Sequence, residues 1–150
     1  MTFNADLIGK RYEEVRLSVT ADAVTRFAHA VGEHNPVFLD ATAAKEAGFP
    51  NQVAPPAIMA LLQIVAVQEI TADPAIGAGF DGIVHGEQEY EWERQVVVGD
   101  ELSTIPTIGD IRSKGSVAFM DVQLDVTDAS GEMVVRSKST LVHFEGGVGG

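Results

Sequence analysis

Residues 54–67 constrain the fold more than any other stretch. Pro55-Pro56 is followed by Ile58, Met59, Leu61, Leu62, Ile64, Val65 and Val67, with polar side chains only at Gln63 and Gln68. Proline fits the first turn of a helix, where its missing N–H has no intrahelical partner to lose. A helix that is apolar nearly all round is expected to be surrounded by protein. This one is too short, and too interrupted, to span a bilayer. The rest of the chain must therefore supply a layer that wraps it.

The last third has the pattern of such a layer. Residues 83–98 alternate, with Gln88, Tyr90 and Trp92 on one side against Glu87, Glu89, Glu91 and Glu93 on the other. That period of two predicts a half-buried strand. Gly99-Asp100 turns the chain, residues 101–111 and 116–127 are further strands, Asp128 to Gly131 is a hairpin loop, and 132–144 is a last strand. Nearer the start, 11–19 alternates loosely as a strand. Thr20 is a helix N-cap with Asp22 in the first turn. Val24, Phe27, Ala28 and Val31 then fall at i, i+3, i+4 and i+7, and Gly32 ends the helix. Residues 41–47 form a short second helix closed by Gly48, and 71–82 form a loop. The reading is a single α+β domain over residues 1–145, with a glycine-rich tail, 146–150, expected to be disordered. One buried helix wrapped by about four antiparallel strands of a curved sheet is a hot-dog fold. The open sheet edges suggest pairing with a second subunit.

Composition narrows the function. Lys and Arg number 10 against 22 Asp and Glu, a net charge of −12 over 150 residues. Such a chain is poorly placed to neutralise phosphates, so nucleic acid and anionic membranes are not expected partners. It has no cysteine, which removes thiol catalysis and thiolate metal sites. No basic start followed by an apolar run marks a leader, and a cytoplasmic location is expected.

Gly77 to Gly82 spells GxGxxG, but a helix precedes it and a strand follows. A dinucleotide site needs the reverse order, so no such cofactor is expected. His29 and His34 do not share a helix face and no HExxH occurs, so no metal site is expected. His29 and His143 read as ordinary surface or core-edge residues. Gly32-Glu33-His34-Asn35-Pro36-Val37-Phe38-Leu39-Asp40 is the most distinctive stretch. Helix termination and an Asn-Pro turn explain part of it. The functional reading is a loop carrying an acid/base pair, Glu33 with His34, beside a cleft. His85, opening the first long strand, is a further candidate acid or base, and Gln88 is placed to orient a carbonyl.

This loop resembles the signature of the MaoC-like (R)-hydratase family, roughly G-D-x-N-P-[LIV]-H-x-D, at Gly32, Asn35, Pro36, Val37 and Asp40. Val53 to Ala57, Val84 to Gln88 and Val98 to Leu102 extend the resemblance to residues 5–145. The chain is most similar to the N-terminal-type MaoC dehydratase domain, to small actinobacterial MaoC-like proteins and to accessory subunits of mycobacterial (3R)-hydroxyacyl-ACP dehydratases. The resemblance implies a hot-dog fold acting on acyl-CoA or acyl-ACP in fatty acid synthesis. Active members reversibly remove water from a (3R)-hydroxyacyl thioester. The motif Asp and His move the protons, and a His-Gly pair before the central helix helps form the oxyanion site. Here those places hold Glu33, Phe38 and Pro55-Pro56. Phenylalanine transfers no proton, and Pro56 has no N–H to donate. The N–H groups of Ala57 and Ile58 are the nearest substitutes.

Two readings follow. In one, the chain is a non-catalytic subunit that shapes an acyl tunnel beside an Asp/His-bearing homologue. Asn35, Phe38, Pro56, Ala57, Ile58, Leu61, Gln88 and Trp92 would then meet the substrate, with Leu62 and Val65 in the wall. In the other, it is a homodimeric hydratase or dehydratase whose rearranged site uses Glu33, His34 or His85. A pure acyl-thioester binder is a third, weaker option. An acidic carrier would need a local basic patch, for which Arg94, Arg112, Lys114 and Arg136 are the candidates.

Overall fold

A computed structural model describes residues 3–78 and 82–144. The centre of the GxGxxG stretch and the glycine-rich tail lie outside the described residues.

The first helix, α1 (Ala21–Ala30), starts where the sequence places it: the Thr20 side chain accepts the N–H of Ala23. Gly32 follows the helix at φ +73°, a left-handed conformation that glycine adopts without penalty. A second short helix, α2 (Ala41–Glu46), is capped by Asp40, whose carboxylate accepts the N–H of Ala43. The central helix begins as a 3-10 turn, Pro56–Met59, and continues as α3 (Ala60–Ala72). The segment expected as a loop thus starts inside α3, and Pro74–Ile76 adds another 3-10 turn.

Among the described residues six strands form one antiparallel sheet: β1 (Val15–Ser18), β2 (Ile83–Trp92), β3 (Glu101–Thr104), β4 (Thr107–Lys114), β5 (Val117–Thr127) and β6 (Met133–Phe144). The order is β1-β3-β5-β6-β2, with β4 also pairing β5. Three sequence boundaries are corrected. The strand expected over 11–19 shrinks to β1. The strand expected over 83–98 stops at Trp92, where Arg94 turns toward Asp100 and Asp128. The strand expected over 101–111 splits into β3 and β4 at Ile105-Pro106, where proline offers no ladder donor. Among the described residues five strands, where about four were expected, therefore follow α3.

Ile58, Leu62, Ala66 and Ile70 of the central helix join Leu102, Ile108, Met120 and Leu124 of the sheet in one core. The expectation that this helix is covered on every side is also corrected. Leu61, Ile64 and Val65 are 37%, 55% and 41% exposed. The sheet wraps one side of α3, and its other side stays open in the single chain.

Candidate functional site

The loop after α1 is held by its own side chains. Glu33 Oε1 accepts the N–H groups of His34 at 2.9 Å and Asn35 at 3.0 Å. Asn35 Oδ1 accepts the N–H of Val37 at 3.2 Å and caps the 3-10 turn Pro36–Phe38. The carboxylate expected to work as an acid or base is thus engaged by the backbone of its own loop. His34 is exposed. The Phe38 ring is half-buried, and its carbonyl accepts from Gln52 Nε2 at 2.8 Å. Gln52 is buried and also donates to Thr25 Oγ1 of α1, so it locks the loop to the helix before it.

A backbone hydrogen bond from Val53 N–H to Val37 O stitches this loop to the segment entering the central helix. The loop and the helix start, which the motif reading joined, are therefore neighbours. At the helix start Pro56 and Ala57 are exposed and Ile58 is buried. Ile58 N–H donates to Pro55 O at 2.9 Å, so it is spent. Of the two substitute donors expected there, only Ala57 N–H remains.

His85 belongs to a different cluster. A bulge interrupts the pairing of β2 with β6 between His85 and Glu87. Gly86 permits it: a Cβ there would lie 2.7 Å from Val142 Cγ2 and 3.3 Å from Thr140 O. His85 lines a cavity of about 180 Å³ with Gln63, Ile64, Val67, Gln68, Ile83 and Leu141. Glu33, His34 and Phe38 are not among its lining residues, so the structure does not place the three acid/base candidates in one cavity. Gln88 donates to Ser137 Oγ at 2.8 Å and to backbone carbonyls, which fixes it to β6. The Trp92 ring packs tilted against Tyr90 at 5.7 Å. Leu61 lies on the open face of α3. His143 is buried beside Phe3, at the core edge.

Gln63 was not singled out as a site residue by its sequence position. It is 5% exposed, its Oε1 accepts from Tyr90 OH at 3.4 Å, and its Nε2 has no partner. An amide among the apolar residues that open the helix was the available signal.

The local cations are mostly committed. Arg94 pairs with Asp100 and Asp128, Arg112 with Asp110 and Asp121, and Arg136 with Glu91 and Glu93. Hydrogen bonds to Asp100 and Asp128 raise the Arg94 pKa above its usual range. Of the four residues expected as a basic patch, Lys114 alone has no ion pair among the described residues. No group of three or more His, Asp and Glu there is arranged to hold a metal ion.

A helix wrapped by an antiparallel sheet, with an Asn-Pro loop stitched to the helix start, is the hot-dog architecture. The chain belongs to the FAS1-like dehydratase family: residues 6–137 match its dehydratase domain region. It is 34% identical over 143 residues to a UPF0336 protein of Saccharopolyspora erythraea, across 95% of this chain and 92% of that one. Among solved structures, a MaoC-like dehydratase from Rhodospirillum rubrum is 28% identical with a TM-score of 0.67, covering 96% of this chain and 97% of that one. The HadBC (3R-hydroxyacyl-ACP dehydratase) complex of Mycobacterium tuberculosis shares the fold at a TM-score of 0.80 and 22% identity, covering 91% of this chain and 97% of that one. No helix among the described residues is long and apolar enough to cross a membrane.

Proposed function

We propose that this chain is a non-catalytic subunit of a (3R)-hydroxyacyl-thioester dehydratase that works in the cytoplasm on acyl-ACP or acyl-CoA. It shapes the acyl site beside a homologous hot-dog subunit that carries the catalytic Asp and His. The observation that carries this reading is the motif loop. Phe38 stands where the resemblance expects an imidazole, and one oxygen of the Glu33 carboxylate, Oε1, accepts two N–H groups of its own loop, which ties the side chain to the backbone. Dehydration needs a base for the α-proton and an acid for the leaving hydroxyl. Phe38 supplies neither, Glu33 Oε1 is held by its own loop, and His34 is exposed and does not line the apolar cavity.

Two features support a partner. Leu61, Ile64 and Val65 leave an apolar stripe open on α3, and β2 is a sheet edge with unpaired backbone groups on one side. The HadBC neighbour is itself a complex of hot-dog subunits. The apolar cavity beside α3 supports acyl binding, since each buried methylene contributes about 0.8 kcal/mol.

A second reading is favoured by His85. Its Nε2 lies 3.0 Å from Glu87 O, and a carbonyl only accepts, so Nε2 carries the proton. In the neutral ring Nδ1 then keeps a lone pair, in an exposed residue that lines the apolar cavity. This is the arrangement of a base in a homodimeric hydratase with a rearranged site.

Hydration of crotonyl-CoA and of a longer trans-2-enoyl-CoA separates the two. The expected result is no turnover by the chain alone and turnover with an Asp/His-bearing homologue. Turnover by the chain alone, abolished in His85→Ala but kept in Glu33→Gln and His34→Ala, overturns the accessory reading in favour of the second.

A further inference from the structure

One free edge of the sheet carries a single sign of charge. Among the described residues β2 pairs only with β6, so alternate N–H and C=O groups of β2 point out of the sheet. Glu87, Glu89 and Glu91 are exposed on its outer face, and Glu93 follows just past its end. The neighbouring strand answers with two cations. Lys138 lies opposite Glu89 and pairs with it at 2.8 Å, and Arg136 lies opposite Glu91 and pairs with Glu93 at 2.8 Å. Glu87 lies opposite Thr140 and has no ion pair among the described residues. The row therefore keeps an excess of negative charge toward its open side. The same edge borders the open side of α3: Ile64 lines one cavity with Ile83 and His85 of β2. A partner that covers that side of α3 meets β2 as well.

A second copy of this chain does not suit that edge. Two copies joined by antiparallel β2 strands are related by a two-fold axis perpendicular to the sheet, which leaves the outer face outermost in both. Directly opposed residues share a face, with Cβ atoms about 4.5–5.5 Å apart, and like charges there are destabilising. A register centred anywhere from Glu87 to Glu91 thus sets glutamate opposite glutamate. A slip by one residue gives no relief, because it would turn Tyr90 and Trp92, which pack against the core, to the outside. The net charge of −12 adds to the repulsion between copies. We infer that the β2 edge accepts a partner strand with Lys or Arg at alternate outer positions, and that its glutamate row rejects a second copy of this chain. This deepens the subunit reading above and rests on it, by naming the charge pattern of the partner's edge.

The test is sedimentation velocity at neutral pH from about 0.01 M to about 1 M NaCl, over which the Debye length falls from ~30 Å to ~3 Å. The parent is expected to be a monomer at low salt and to self-associate as salt rises. A β2 triple variant, Glu87→Gln with Glu89→Gln and Glu91→Gln, removes the row. A control triple, Asp6→Asn with Glu13→Gln and Glu46→Gln, removes the same charge from exposed positions outside β2. The β2 triple is expected to self-associate about tenfold more tightly than the control at low salt. The probe for a basic partner is this chain with its edge reversed: Glu87→Lys, Glu89→Lys and Glu91→Lys, with Arg136→Glu and Lys138→Glu to keep the pairs to β6. It is expected to bind the parent about tenfold more tightly than it binds itself, and salt is expected to weaken that complex.

A stable parent dimer at low salt, or a β2 triple that associates no more tightly than the control, overturns the inference. So does a folded edge-reversed variant that binds the parent no better than itself. The glutamine comparison alone decides where a melting curve shows that the reversed variant does not fold. With an Asp/His-bearing homologue that restores turnover, a complex no weaker for the β2 triple than for the control overturns the inference while the subunit reading stands. A parent that dimerises at low salt and hydrates crotonyl-CoA alone overturns both.

Discussion

His85 Nε2 lies 3.0 Å from the carbonyl oxygen of Glu87, across the bulge that Gly86 allows in β2. The contact fixes the tautomer, because only a protonated Nε2 is attracted to a carbonyl. In the neutral ring, the nitrogen without a proton is then Nδ1. Long-range proton–nitrogen correlation spectra at mildly alkaline pH are expected to show His85 as the Nε2–H form. An Nδ1–H signal would remove the basis for treating His85 as a base.

The bulge itself gives the next test. Gly86→Ala places a methyl 2.7 Å from Val142 Cγ2 on β6 and 3.3 Å from the Thr140 carbonyl. Relief requires the stiff β-branched side chain of Val142 to shift or β2 to move off β6, and the Thr140 carbonyl, being backbone, limits how the methyl can turn aside. The expected cost is about 1–3 kcal/mol, the range for overpacking. Urea denaturation measures it. Gly109→Ala is the control, because the three atoms nearest a Cβ there all belong to the Gln123 side chain, which can swing away.

A third prediction concerns pH. Lys10 Nζ and Tyr12 OH both bond to Asp73 Oδ2 just beyond the end of α3, and Asp73 Oδ1 accepts the N–H of Ala75. These bonds, that from Lys10 first, lower the Asp73 pKa from 3.8 to about 2. The stability this contributes is present above pH 3.8 and is lost as pH falls through about 2. Burial, with the Asp73 contact, raises the Tyr12 pKa well above 10. That contribution is present below pH 10 and is lost as pH rises beyond it. Thermal melts across the acid range are expected to show Asp73→Asn with a lower melting temperature at neutral pH. Its acid-side decline between about pH 4 and pH 2 is expected to be shallower than that of the parent.

How much of this could be read from the sequence depended on how local each cause is. Thr20, Gly32 and Gly48 mark helix ends because capping acts within a few residues, and the structure keeps those ends. Pro106 carried the signal that splits the strand over 101–111, since its missing N–H is visible in the residue itself. The open side of α3 was not legible. An all-apolar helix reads as buried, and nothing in its residues says that this chain covers only one side. The loop from Glu33 to Phe38 stood out by its Asn-Pro motif, but the engagement of the Glu33 carboxylate depends on how the loop closes. Gln63 needed the fold, because its unpaired end emerges only when Tyr90, on another element, takes its place beside it.

The open face of α3 yields the last prediction. Leu61 and Ile64 are 37% and 55% exposed in the single chain, so a charged residue at either position buries little new charge. Exposed substitutions of this kind change stability by about 0.5 kcal/mol or less. If a hot-dog homologue covers the face, the same charge is buried without a partner at the interface, and the complex is lost. Leu61→Glu and Ile64→Glu are therefore expected to keep the circular dichroism spectrum and nearly the melting temperature of the parent chain. In light scattering after size exclusion with the homologue, they are expected to stay unassembled under conditions where the parent associates. Unchanged assembly in both variants would mean that the partner leaves this face open. A large drop in melting temperature of the isolated chain would mean instead that the side chains are core residues.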